Sequence, residues 1–274
     1  MSERLVSEEE QKRIMLDMLV FMDQYCLEHG LTYFIDAGTL LGAVRHKGYI
    51  PWDDDIDINM PRADYDRFIN ETKKTNGRIG EIYQVEYPEK GLHVSLKLGD
   101  IRTVLIEYPD TKPTKSMVYL DIFPKDGIPN KGIGSRMICW VSEKLALANW
   151  FNKITIYKWE WDNSVFRRLI AGMGRSIIKN PDYAVYLQNQ LIHRYAKIHP
   201  IEKCNYVTTL VNGEFKKIAP KSCFDKTIKM EFEGLFFNAP AGYDEYLRCL
   251  YPGDYMQLPP VEKRIKHNTV VYWK

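Results

Sequence analysis

The sequence has no long hydrophobic run, no paired cysteines and almost no net charge, and each gap removes a class of protein. No stretch reaches the eighteen or so uninterrupted apolar residues that a membrane-spanning helix needs. The opening Met1-Ser-Glu-Arg4 leads straight into charged residues, with no apolar leader. A cytoplasmic chain is expected, soluble or peripheral on the inner face of the cytoplasmic membrane. The formal net charge over 274 residues is only +2, whereas a dedicated nucleic-acid binder would carry a strongly basic domain. Five cysteines, Cys26, Cys139, Cys204, Cys223 and Cys249, are widely spaced, and none forms a Cys-x-x-Cys pair. They read as reduced thiols rather than disulfides or a zinc site. There is no Walker loop, no dinucleotide fingerprint and no internal repeat.

What the chain does have is one dense run of chemistry between Asp36 and Met60. The apolar piece Leu31 to Ile35 reads as a strand, and Gly38-Thr39 then opens a short helix over 40–44. Backbone N–H groups at such a helix start, beside small residues, form an anion site. Further on, four of the five residues Asp53 to Asp57 are aspartates. From Asp55 to Met60 acid and aliphatic residues alternate at the period of a strand, placing Asp55 and Asp57 on one face and Ile56 and Ile58 on the other. Two like charges that close repel each other, and a divalent cation between them relieves the repulsion. A phosphate cradle facing paired carboxylates describes a phosphoryl- or nucleotidyl-transfer centre. The hard oxygen donors suit Mg²⁺, with Mn²⁺ as the second choice. Arg45, His46 and Lys47 would then face an anionic donor.

A third carboxylate is expected at Asp121. It is the single acid in the apolar strand Met117 to Pro124, and an unpaired buried carboxylate is costly without a partner. It would either complete the metal shell or accept the proton of the attacking hydroxyl. The alternation of His93, Ser95 and Lys97 puts these three on one strand face, with Lys97 available to a donor phosphate; a solvent-facing side is the competing reading. Arg62 either touches the donor or pairs with a nearby acid. Glu231 and Glu233 are a rival acid pair without a phosphate-binding turn beside them. Strands are predicted over 81–87, 93–98 and 103–108, with a turn at Gly99-Asp100. Ser7-Glu-Glu-Glu10 reads as the capping box of a helix ending at Gly30. Further helices are predicted from Pro61 to Ile69, Asp182 to Ile198 and Tyr243 to Leu250.

The run from Gly38 to Ile58, Gly-Thr-Leu-Leu-Gly-Ala-Val-Arg-His-Lys-Gly-Tyr-Ile-Pro-Trp-Asp-Asp-Asp-Ile-Asp-Ile, resembles the signature of the LicD phosphotransferases, the group that includes fukutin and fukutin-related protein. Tyr119-Leu-Asp-Ile-Phe-Pro124 and Asp254-Tyr-Met-Gln-Leu-Pro-Pro260, with Arg264 and His267 beyond, fit the same family, so the likeness spans nearly the whole chain. One departure is Tyr251-Pro-Gly-Asp254, where the family reads Tyr-Gly-Asp. The resemblance implies an α/β (α+β) fold, with a nucleotidyltransferase-like mixed-sheet core, flanking helices and a helical insertion. It implies transfer of a phospho-alcohol, phosphocholine above ribitol or glycerol phosphate, from a CDP-linked donor such as CDP-choline. The acceptor would be a cell-surface glycan, a teichoic acid or lipopolysaccharide precursor, lipid-linked or free, and CMP would be released. Nucleotidyl transfer from an NTP, with release of pyrophosphate, is the alternative chemistry. In this reading Asp55, Asp57 and Asp121 form the catalytic and metal set. Gly38, Thr39, Arg45, Lys47, Lys97, Arg264 and His267 bind the donor, the last two on a tail folded back over the site.

Three regions are expected: a core over 1–130, a helical insertion over 131–200, and a completing segment over 201–274. From Lys131 to Asn180 nine basic residues stand against three acids, interleaved with Trp140, Trp150, Trp159 and Trp161. Such a pattern suits an anionic membrane surface; aromatics packed on the domain are the competing reading.

Overall fold

The computed structural model describes residues 4–88, 95–107, 114–154, 181–213, 215–264 and 269–274, without the side chains of 114, 147–154, 181, 182, 216 and 263. In chain order the elements are β1 (Arg4–Leu5), α1 (Glu8–His29), β2 (Phe34–Ile35), α2 (Ala37–His46), β3 (Asp57–Pro61), α3 (Arg62–Lys73), β4 (Arg78–Ile79), β5 (Tyr83–Glu86), β6 (Leu96–Glu107) and β7 (Thr114–Ile128). After these come α4 (Ile133–Ile154), α5 (Pro181–Ile198), β8 (Tyr206–Thr208), β9 (Ala219–Pro220), β10 (Thr227–Phe232), β11 (Leu235–Pro240), α6 (Tyr243–Leu250) and β12 (Thr269–Trp273). The architecture is mixed α+β, as expected. Among the described residues a ten-stranded sheet runs β1-β12-β6-β7-β3-β2, with β5 and β4 branching from β6 and β8 and β9 from β7. Of its pairings only β3 with β7 is parallel.

Local signals set the helix ends. Ser7 Oγ accepts the Glu10 N–H at 3.2 Å while Glu10 Oε2 accepts the Ser7 N–H at 3.0 Å, a complete capping box. Gly30 closes α1 in the left-handed region at φ +58°. Between these caps, Ile14, Met15, Met18, Leu19, Met22 and Cys26 recur at helical spacing and are buried against the sheet. Four of the five cysteines are buried and all five are free thiols. Burial pushes the Cys26 and Cys223 thiols up to about 12, so they are poor nucleophiles.

Two local expectations change. Gly99-Asp100 is not a turn: β6 runs through it, with a register irregularity between Asp100 and Leu105. Asp100 is fully buried, and its carboxylate accepts from the Arg102 backbone N–H at 2.9 Å and from the Arg102 guanidinium at 2.6 Å. A bulge lets the strand bury that acid with its partner, which alternation alone does not reveal. The acidic strand also begins later than predicted, at Asp57, leaving Asp55 on the approach to it. At the β10–β11 turn, Glu233 and Gly234 both have positive φ, +53° and +74°, the conformation of a tight hairpin. This hairpin grips the turn after α2: the Glu233 N–H donates to the Lys47 carbonyl at 2.8 Å, and Glu233 Oε1 accepts the Tyr49 N–H at 2.9 Å. Glu233 is thus engaged in holding backbone, and the rival acid pair loses its candidate.

Candidate active site

The site is assembled where the start of α2 meets β3 and β7. Asp36 caps the helix, its Oδ1 accepting the Ala37 N–H at 2.8 Å, and its own N–H donates to the Asp57 carbonyl at 2.9 Å. Thr39 Oγ1 accepts the Asp57 N–H at 2.9 Å. The helix start and the acidic strand are therefore locked together through the backbone of Asp57. Gly38 leaves room beside it for the Asp53 carboxylate, since a Cβ there would stand 2.5 Å from Asp53 Oδ2. The Thr39 side chain, beside the expected phosphate site, is buried and holds β3.

Across the sheet, Asp57 is the register partner of Asp121, and Asp121 that of Lys97, so the three form one row over β3, β7 and β6. Lys97 Nζ lies 3.1 Å from Asp121 Oδ1, and Ser95 Oγ donates to the same oxygen at 2.7 Å. Lys97 also sits over the Tyr119 ring. Its charge therefore goes to Asp121. Burial pushes the Asp57 carboxyl well above the carboxylate range, and the charges of Asp55, Asp121, Asp36 and Asp53 push it further. Asp57 therefore sits among like charges. Among the described residues no three His, Cys, Asp or Glu side chains form a ready-made metal cage. Mg²⁺, however, commonly takes only one or two protein carboxylates and fills its shell with water and substrate phosphate. Asp55 and Asp57 fit that pattern.

In front of these acids opens a cleft of about 480 Å³, lined by Ala37, Gly38, Arg45, Trp52, Asp53, Asp55, Asp57, Tyr251, Tyr255 and neighbouring residues. Arg45 donates to the carbonyls of Tyr255 and Gln257, and Arg264 to that of Pro259. Both guanidinium groups lie over Trp52, at 6.0 and 4.6 Å from its ring. Burial pulls Arg45 below its ordinary range, and the charge of Arg264 pulls the same way against Tyr251. Arg264 thus lies beside the cleft, over its Trp52 wall. Pro252, the extra proline of the Tyr-Pro-Gly-Asp loop, lines the cleft too. Lys47 is exposed at the end of α2, apart from the residues lining the cleft. His267 and His93 lie outside the described residues.

Behind Ala37 and Asp57 is a smaller cavity of about 130 Å³. One wall carries an ionic network that the sequence reading missed. Lys125, 3% exposed, donates to Asp36 Oδ2 and Thr209 Oγ1, each at 3.1 Å, and is hydrogen-bonded to the Tyr246 hydroxyl. Tyr246 in turn donates to Asp36. Burial pushes the Asp36 carboxyl up, but the Lys125 charge and these hydrogen bonds outweigh it and hold it below the ordinary range. A lysine in the apolar strand after Asp121 was the available signal, and its partner lies 89 residues away. Arg62, left open between donor and acid, forms a two-pronged pair with buried Asp126, at 2.7 and 3.1 Å.

Residues 30–132 match the family described as LicD/FKTN/FKRP, nucleotidyltransferase domain. Over 271 residues the chain is 31% identical to the lipopolysaccharide cholinephosphotransferase LicD of Haemophilus influenzae, covering 94% of this chain and 95% of that protein. The chain belongs to the LicD family. Two uncharacterized rickettsial proteins, from Rickettsia prowazekii and Rickettsia typhi, share 54% identity over only 37 residues, 14% of this chain. The likeness to the Haemophilus LicD thus extends well beyond the residues that match the family model. For this LicD-family chain, no helix among the described residues is long and apolar enough to cross a membrane.

Proposed function

We propose that this protein transfers phosphocholine from CDP-choline to a sugar hydroxyl of a cell-surface glycan of the lipopolysaccharide type, releasing CMP. The observation that carries the reading is the meeting of Asp55 and Asp57 with the amide end of α2 in one cleft. The near full-length likeness to a lipopolysaccharide cholinephosphotransferase supports the choice of group. Asp55 and Asp57 would hold Mg²⁺ or Mn²⁺, which would supply positive charge for a pyrophosphate and a departing CMP. The α2 amides beside Gly38 and the Arg45 and Arg264 guanidiniums bind and orient that pyrophosphate. Asp121, oriented by Ser95 and Lys97, takes the proton as the acceptor oxygen forms its bond to the phosphorus of phosphocholine and the bond to CMP breaks.

Product analysis tests the chemistry. Incubation with CDP-choline, Mg²⁺ and a lipopolysaccharide-derived acceptor is expected to yield CMP and phosphocholine-bearing glycan. Pyrophosphate release from CTP, with CDP-choline inert, would overturn the reading. Ribitol- or glycerol-phosphate transfer in the same screen would replace choline while leaving the mechanism intact. Substituting Arg264→Gln is expected to lower kcat/KM for the donor about 10²-fold, the usual cost of one charge-stabilising donor. Steady-state kinetics at varied CDP-choline checks this; an unchanged value would remove Arg264 from the site.

A further inference from the structure

The helix α4 carries three large hydrophobic residues on its outer face. Ser135, Ile138, Cys139 and Ser142 face inward and are buried. On the opposite face Ile133, Met137 and Trp140, at helical spacing i, i+4 and i+7, are 79%, 61% and 59% exposed. Arg136 and Lys144 are exposed on the same face, and Lys131 is exposed just before the helix. Large apolar side chains scattered singly on a surface mean little, but three in a row on one helix face form a stripe. The only acid among the fourteen residues from Lys131 to Lys144 is Glu143, which is paired with Lys144.

From this we infer that the outer face of α4 docks on a lipid bilayer bearing anionic headgroups. The stripe would sink to the level of the acyl-chain boundary, as amphipathic helices do, with tryptophan at the interface. Lys131, Arg136 and Lys144 have long aliphatic stems that let their charged ends reach the lipid phosphates while the helix lies flat. Charge selects this occupant: the stripe is bordered by cations, and the sequence continues basic and rich in tryptophan to Asn180. A second copy of the chain would bring these cations against their own kind. The surface lies outside the catalytic cleft, so the inference stands whether or not the proposed transfer chemistry is correct.

Flotation of the full chain on vesicles tests it. The wild type is expected to float with vesicles containing phosphatidylglycerol and to stay in the dense fraction with pure phosphatidylcholine. The double substitution M137E/W140E, at two exposed positions, is expected to lower the bound fraction at least tenfold without changing the thermal melt. R136Q/K144Q should weaken binding about fivefold per cation removed. CMP release with a soluble acceptor should be unchanged in both variants. Three results would overturn the inference: failure of the wild type to bind anionic vesicles, equal binding by M137E/W140E, or a concentration-dependent dimer that M137E/W140E converts to monomer.

Discussion

Replacing Asp57 with asparagine is expected to abolish transfer while making the metal-free fold more stable. The two effects share one cause. Asp57 is held among Asp55, Asp121, Asp36 and Asp53, and burial already disfavours its charge. The amide would keep the shape and remove a charge that only a bound cation can use. The rate should fall at least about 10³-fold, more than for loss of a residue that merely supports a ligand. In EDTA the melting temperature should rise by a few degrees, given about 2–4 °C per kcal/mol for a chain near this size. The sign follows from linkage. A carboxyl raised in the folded state costs stability as pH climbs above the ordinary aspartate value of about 3.9, so the variant's advantage should appear above that pH and vanish below it. Added Mg²⁺ should raise the melting temperature of the wild type and leave the variant unmoved. A variant that is both inactive and less stable in EDTA would make Asp57 a structural acid.

The second large effect is expected at Lys125→Met. Removing one member of a buried ion pair leaves the other uncompensated, at a cost of about 3–5 kcal/mol. Asp36 would be stranded beneath the start of α2, the helix end that faces the cleft. Thermal melting should drop on the order of 10 °C. Tyr246→Phe, which removes a hydroxyl bonded to both partners, should cost less, about 1–3 kcal/mol. In a double-mutant cycle Asp36→Asn with Lys125→Met should lose much less than the sum of the single variants, because each alone strands the other. Additive losses would show that the two residues act separately. Because the Asp36 carboxyl lies below its ordinary range, this pair contributes fully above the ordinary aspartate value and fades as pH falls towards the folded one.

Much of the lining of the cleft was legible because it is written locally. Gly38-Thr39 and Asp53 to Asp57 lie within twenty residues, and α1 announces both ends through Ser7, Glu10 and Gly30. Asp121 was legible for a different reason, as a lone acid in an apolar strand. What stayed hidden depends on register. Nothing in His93 to Leu98 says that Lys97 will fall opposite Asp121, since that follows from how β6 pairs with β7. The Lys125 network joins residues 36, 125, 209 and 246, which local periodicity cannot connect. Asp100 misled for a related reason: Gly-Asp is a turn signal, and only its pairing with Arg102 shows why the strand continues.

Everything proposed for the cleft depends on Asp55 and Asp57 holding a divalent ion against the donor's pyrophosphate. Calorimetric titration of Mg²⁺ into protein saturated with CDP tests this most directly. One ion per chain is expected for the wild type, with much weaker binding in the absence of CDP and none for the variant D55N/D57N. Equal Mg²⁺ binding by D55N/D57N, or no CDP-dependent binding by the wild type, would contradict it.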